Sequence, residues 1–229
     1  NTLYKCIANI YIYLHTYTNM PNTLIREIGL EREMWLLDSK NRIVEAPIYN
    51  FPADEMGFLV EVRSSWGSTP YLITDTLEAA EKVEIRKANQ LYFKIVLTPE
   101  MAVTDAWQQY IAKKYKHSSF GDTTQNIYGK SDHSHNTGLL PGRATAGMHI
   151  HFSIWDTEAE KFRDFTNKEI HRIVSYLDGE FKELVTQNNR ILGEWEPKTH
   201  GFEYRSLPCT ADPRKVAIKG LNVLEELEF

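Results

Sequence analysis

The sequence has only two cysteines, Cys6 and Cys209, far apart and without the spacing of a disulfide framework, a thiolate metal site or a redox motif. That scarcity fits a reducing compartment, and a cytoplasmic location is the expectation. No apolar run nears the roughly 18 residues that a membrane span needs. Neither a Pro- or Ser-rich linker nor a sustained charge block divides the 229 residues, so one domain is expected over 25–229. Positive charge is also in short supply. The 26 Lys and Arg against 31 Asp and Glu leave a formal net charge of -5, with no general attraction for phosphate backbones or anionic lipid. Neither nucleic acid nor a membrane is expected as a partner. At 42% hydrophobic and 25% charged residues, the composition is that of a chain that folds rather than a disordered one.

Residues 1–24 stand apart. Tyr4, Tyr11, Tyr13 and Tyr17 are interleaved with Asn and Thr, the sequence starts at Asn1, and Met20 looks like a natural start. The stretch from Cys6 to Leu14 is apolar enough for a short signal core, but Asn9 breaks it and only Lys5 precedes it. A leader, a frame-extended segment or a short edge strand are the readings open for it.

Period-2 alternation marks strands at Leu30 to Leu36, Phe58 to Ser64, Met148 to Ile154 and Phe202 to Arg205, with a less one-sided fifth at Gln90 to Leu97. Helical spacing follows Asp75, where Glu78 sits like the third residue of a capping box and Leu77, Ala80, Val83 and Ala88 form a stripe. A stronger stripe runs through Ile170, Ile173, Val174, Leu177, Phe181, Leu184 and Val185. Asp212 and Pro213 then open a third helix, with Val216, Leu221, Leu224 and Leu227 on one side. Order and content predict an α+β fold with helices on the apolar face of a mainly antiparallel sheet. Between His117 and Arg143 the pattern dissolves into polar residues and four glycines, a long loop read as a lid rather than a disordered segment.

Residues two apart on a strand share a face, so each alternating strand separates into two sets. One set is apolar: Leu30, Met34 and Leu36; Phe58, Val60 and Val62; Met148, Ile150, Phe152 and Ile154; Phe202 and Tyr204. Only Arg32 interrupts it. The other set is chemical: Glu31 and Glu33; Glu61 and Arg63; His149, His151 and Ser153; Glu203 and Arg205. A face turned to water is the ordinary explanation for one such strand. Across four strands, however, the polar set holds no lysine and no threonine, and three strands contribute glutamate. Carboxylates two apart on a strand lie roughly 6 to 7 Å from each other. Each pair costs on the order of 2 kcal/mol at an effective dielectric near 20. Such a cluster needs cations. Arg63 and Arg205 supply part of the charge, and carboxylate oxygens with an imidazole are also the donor set of Mg²⁺ or Mn²⁺. Individually, His149 and His151 read equally as hydrogen-bonded core histidines, and Glu203 with Arg205 as a structural ion pair. His117, His133 and His135 match no ligand spacing and are read as solvated.

The stretch from Gly147 to Ser153 (Gly-Met-His-Ile-His-Phe-Ser) resembles the Gly-x-His-x-His-x-Ser strand of glutamine synthetases. Gly201 to Pro208 looks like the Arg-x-Glu-x-Arg-x-Pro strand of the same superfamily, followed by Asp212 and Pro213. Gly29 to Glu33 looks like its first Glu-x-Glu strand. The likeness is greater to small phage and bacterial carboxylate-amine ligases, whose Gly-Leu-Glu-x-Glu is followed by Pro-Ala-Asp, here Pro52 to Asp54, and by a Glu-x-Arg strand, here Glu61 to Arg63. It covers the chain from about Arg26 to its end.

The resemblance implies a glutamine synthetase-like catalytic domain that uses ATP and two or more Mg²⁺ or Mn²⁺ ions to join a carboxylate to an amine through an acyl phosphate. The carboxylate would be that of an amino acid or peptide. Glu31, His149 and Glu203 would hold the metal nearer the phosphates; Glu33 and Glu61 would hold the one nearer the substrate, with Asp54 or Glu55 completing it. His151 and Ser153 would touch nucleotide, Arg205 and Arg63 would act on the substrate or transferring phosphate, and Arg143 is a further substrate contact. Gly201 departs from the pattern, since glutamine synthetases carry arginine there. The residues alone also admit a metal-dependent hydrolase without ATP, or an inactive member serving as a binding module.

Overall fold

The computed structural model describes residues 24–54, 57–114, 124–129 and 139–227. Within them the fold is α+β, with a mainly antiparallel sheet and four α-helices. The leader assigned to 1–24 lies outside the described residues except for Leu24, which opens the first strand.

The central strands are β1 (Leu24–Leu37), β2 (Leu59–Arg63), β8 (Gly147–Asp156), β10 (Glu194–Lys198) and β11 (Gly201–Pro208). With β5 (Gln125–Asn126) they run in the order β2-β1-β8-β11-β10-β5; β3 (Lys94–Val96) pairs with β1 and β9 (Lys161–Phe162) with β8. Every pairing is antiparallel. A separate three-stranded sheet is built from β4 (Glu100–Ala102), β7 (Arg143–Thr145) and β6 (Leu139–Leu140).

The helices are α1 (Pro70–Gln90), α2 (Asp105–Lys114), α3 (Asn167–Gln187) and α4 (Pro213–Glu225). Helix α3 carries the stripe read from the sequence and begins with a full capping box, in which Thr166 and Glu169 each bond the other's backbone N–H. In α4, Asp212 accepts from the Arg214 N–H and Pro213 fills the first helical position. Helices α3 and α4 pack against β11 and β1, and α1 against β1 and β2. The main core joins their apolar faces to Leu30, Met34, Leu36, Val60, Val62, Met148, Ile150, Phe152, Ile154, Phe202 and Tyr204. Arg32, the exception on that face, reaches Glu81 of α1 at 2.7 Å and the Ala211 carbonyl at 2.7 Å, so its charge is met inside the layer.

Several boundaries differ from the sequence reading. Helix α1 starts at Pro70, ahead of Asp75, because proline presets the first helical turn and Ile73 and Leu77 bury into the core. Glu78 pairs with Lys82 at 3.0 Å instead of capping, and Val83 is exposed. The helix takes Gln90, which shortens the fifth strand to Lys94–Val96. Phe58 precedes β2 and turns to the opposite side, stacking on Trp35 at 5.8 Å in a second core with Leu37, Leu59, Ile111, Ala144, Ala146 and Cys209. The stretch from 117 to 143 is not wholly irregular, since it contains β5 and β6 and ends at the first residue of β7. Residues 117–123 and 130–138 of the proposed lid, with His117, His133 and His135, lie outside the described residues. No helix among the described residues is long and apolar enough to cross a membrane.

Candidate metal centre

Strand β1 lies between β2 and β8, and β8 lies between β1 and β11. The registers oppose Glu31 to both Arg63 and His149, Glu33 to Glu61, and His151 to both Gly29 and Glu203. Directly opposed residues share a face, so chemical residues from four segments of sequence are gathered on one side of the sheet. At the C-terminal end of β1 the same face turns apolar at Trp35 and Leu37, where the second core closes over it.

At the centre, Glu31, His149 and Glu203 each offer a ligand atom within 4.8 Å of the others, and all three are buried. His149 Nδ1 stands 2.6 Å from Glu203 and 3.1 Å from Glu31, while His151 Nε2 is 3.1 Å from the other Glu31 oxygen. Glu33 accepts the Gly147 N–H and comes within 4.0 Å of His149 Nε2. Arg63 contacts Glu31 at 2.7 Å and Glu61 at 2.6 Å. Arg205 bonds Glu203 at 2.8 Å and Glu196 at 2.9 Å. It sits in a β-bulge, where the register against β8 slips between Tyr204 and Leu207, and the bulge re-aims its side chain along the site.

Three site residues, Lys198, Glu196 and Arg190, escaped the sequence reading. Lys198 lies 2.8 Å from Glu203 and 3.0 Å from Glu196. Lys198 and Glu196 are both on β10, where Glu194, Glu196 and Lys198 alternate with Trp195 and Pro197. That alternation was a usable signal, but a proline inside a run argues against a sheet strand. Arg190, just past α3, is a third: it bonds the Arg205 carbonyl, and its guanidinium presses so close to Gly147 that a Cβ there would meet it at 2.9 Å.

Other predicted residues lie elsewhere. Asp54 caps the turn before β2, accepting the Leu59 N–H at 3.0 Å, and is not among the grouped ligands; Glu55 lies outside the described residues. Arg143 belongs to β7 of the small sheet and pairs with Glu100 at 3.1 Å, a residue outside the triad. Ser153 is buried beyond His151, opposite Glu27 and Gly201. A side chain at position 201 is excluded by this backbone, because a Cβ would fall 2.1 Å from the Phe152 carbonyl oxygen. An arginine could not stand there without moving the strands apart.

The electrostatics fit a cation. Five carboxylates, Glu31, Glu33, Glu61, Glu196 and Glu203, surround three permanent cations bonded to them, Arg63, Lys198 and Arg205. Burial alone would raise the Glu31 pKa, yet hydrogen bonds with His149 and His151 hold it well below the usual carboxylate range. Burial opposes ionisation of Glu203 too, and Arg205 and His149 outweigh it. Glu61 goes the other way: desolvation and the Glu31 charge push it up to about 9 despite Arg63. For His149, burial and Arg205 push the pKa down, but Glu203 and Glu33 dominate and raise it to about 9. The imidazolium proton thus occupies the place between two carboxylates that a divalent ion would take, and the O,N donor set suits Mg²⁺ or Mn²⁺.

A pH dependence follows. Metal binding requires neutral imidazole, so an ion held by the triad would displace the His149 proton. Mn²⁺ affinity is expected to climb about tenfold per pH unit from about pH 6 to about pH 8. Calorimetric titrations in buffers of different ionisation enthalpy check this, and a flat profile with no proton release would contradict it. In the metal-free protein the sign reverses. The raised His149 pKa stabilises the fold fully below about 6.5, and that contribution is lost as pH rises through about 9.

Neither a protein-family profile nor any curated protein matches the chain.

Proposed function

We propose that the chain is an ATP-dependent carboxylate-amine ligase built on a glutamine synthetase-like catalytic domain. One observation carries the reading: the three motifs bearing the resemblance are brought into register on one face of an antiparallel sheet, where Glu31, His149 and Glu203 form a buried triad flanked by Arg205 and Lys198.

In this reading the triad would hold the divalent ion nearer the phosphates, and Glu33 and Glu61 would hold a second ion near the acceptor carboxylate. Bound there, the ions would supply charge neutralisation and alignment of the phosphates. Arg205 and Lys198 meet charge developing on the γ-phosphoryl group as it passes from ATP to a carboxylate oxygen, releasing ADP. The amine nitrogen then attacks the carbonyl carbon, phosphate leaves, and the nitrogen gives up one proton to form the amide. Arg63 is 67% exposed at the side chain, open to an incoming carboxylate, although Glu31 and Glu61 both engage it. His151 and Ser153 continue along β8 towards the rest of the nucleotide. The substrate is an amino-acid or peptide carboxylate, and the setting is cytoplasmic.

The test is ADP release from ATP with Mg²⁺ or Mn²⁺ against a panel of amino acids and peptides, each with ammonia and with primary amines. Substrate-stimulated ADP formation with stoichiometric amide is the expected result. A folded, metal-loaded protein that neither binds nor turns over ATP would overturn the reading in favour of a hydrolase or an inactive binding module.

A further inference from the structure

Past His151 the polar face of the sheet ends in rings. The indole of Trp66, three residues beyond β2, lies over Gly29, where a built Cβ would touch it at 3.6 Å, an ordinary van der Waals distance. Gly29 is directly opposite His151, so the indole rests beside the row that carries Glu31 and His151. His200 meets Trp66 edge-on with ring centroids 4.8 Å apart and lies 5.5 Å from His151; Phe162 of β9 stands 6.4 Å beyond His200. Trp66 and Phe162 are 38% and 44% exposed, so much of this aromatic surface is uncovered. The Nε2 of His200 is buried and has no hydrogen-bond partner among the described residues. Uncovered rings beside a polar site, with an unpaired buried ring nitrogen among them, are the features of an incomplete binding surface.

Charge and length narrow the occupant. Lys198 lies two residues before His200, and with Arg205 it makes the adjoining side of the triad cationic. Along β8 the site face continues from His149 through His151 to Ser153, a rise of about 13 Å. The molecule that fits has a polyanionic head at the triad and a flat heteroaromatic ring at the other end. We propose that Trp66, His200 and Phe162 seat the purine base of the nucleotide, with His200 Nε2 supplying the hydrogen-bonding atom at the edge of the base. This rests on the nucleotide-dependent reading above and assigns it residues that no motif pointed to.

The experiment titrates Mn²⁺-loaded protein with a non-hydrolysable ATP analogue and, separately, with inorganic tripolyphosphate, in wild type, Trp66→Ala, Trp66→Phe and His200→Ala. Base stacking on an aromatic ring predicts about a five- to hundredfold loss of analogue affinity in Trp66→Ala. Retention of most affinity is expected in Trp66→Phe, and a loss of roughly two- to tenfold in His200→Ala. Tripolyphosphate, which has no base, should bind all four alike. Unchanged analogue affinity in Trp66→Ala and His200→Ala would overturn the base seat and leave the ligase reading standing. Equal weakening of both probes would also overturn it, because Trp66 would then be supporting the triad. A wild type that binds neither probe would overturn the nucleotide reading itself.

Discussion

Glu203→Gln is expected to lower substrate-stimulated ATP turnover by at least about a thousandfold, which corresponds to about 4 kcal/mol of transition-state stabilisation. Mn²⁺ affinity should fall by at least about a hundredfold, the upper range for residues that merely support a metal ligand. Glutamine keeps the shape of Glu203, so the cost is electrostatic. Glu203 is 1% exposed at the side chain and receives His149 Nδ1, Arg205 and Lys198 together. Removing one member of a buried charged group generally costs about 3–5 kcal/mol. Here the loss should be smaller, because Glu196 still accepts from both Arg205 and Lys198. The variant should therefore fold, which separates its chemical defect from a structural one. A second readout is specific to the proton shared between carboxylates. Glu203 is among the groups that raise His149, so without it the imidazole should titrate nearer its ordinary range, and the pH dependence of residual Mn²⁺ binding should flatten above neutrality. Isothermal titration with Mn²⁺ and an ADP-release assay measure both effects. Wild-type turnover in a folded Glu203→Gln protein would remove the triad from the mechanism. Glu196→Gln is the graded companion: its carboxylate steadies Arg205 and Lys198, so it should weaken activity far less.

Much of this site was legible because a strand sorts its residues by parity. The assignment of Glu31, Glu33, Glu61, His149, His151 and Glu203 to one face needed only period-2 alternation, and the observed registers place them so. Which of those carboxylates meet is a different matter. It depends on pairings between segments more than a hundred residues apart, such as Glu31 with His149, and local pattern carries no information about them. The same limit explains Phe58. Alternation places it with Val60 and Val62, but the chain bends before Leu59 and the ring turns to Trp35. Helix α2 and the strands of two or three residues other than β3 left no readable period, since a window that short fits either template. Lys198 was hidden by Pro197, which local rules place outside a strand. It is tolerated opposite Phe202 on β10, whose other edge meets only the two-residue β5. Asp54 and Arg143 illustrate the converse: suitable residue types near motifs, drawn off by a turn and by Glu100.

The largest structural effect is expected at Gly201, where the sequence departs from the pattern it resembles. Gly201→Ala should lower the melting temperature by about 4–24 °C. Gly201 has a φ of +145°, a region that essentially only glycine occupies, which costs another residue about 1–3 kcal/mol. A Cβ would also lie 2.1 Å from the Phe152 carbonyl oxygen and 3.0 Å from the Phe165 ring. The first neighbour is backbone of β8 and cannot swing aside, so overpacking adds about 1–3 kcal/mol. At about 2–4 °C per kcal/mol for a chain of this size, the sum gives that shift. The clash also acts on the site, because Gly201 opposes Ser153 and starts the strand that delivers Glu203 to His149. Any relief that separates β11 from β8 pulls the triad apart, and Mn²⁺ affinity should fall with stability. Gly179→Ala is the matched control. Gly179 lies inside α3 with nothing within 4 Å of a built Cβ, so alanine should stabilise the fold by about 0.5–1 kcal/mol and leave metal binding unchanged. Thermal melts and Mn²⁺ titrations of the two variants check the argument together. A Gly201→Ala protein as stable as wild type would mean that β11 does not approach β8 in this register, and with it the triad geometry would be lost.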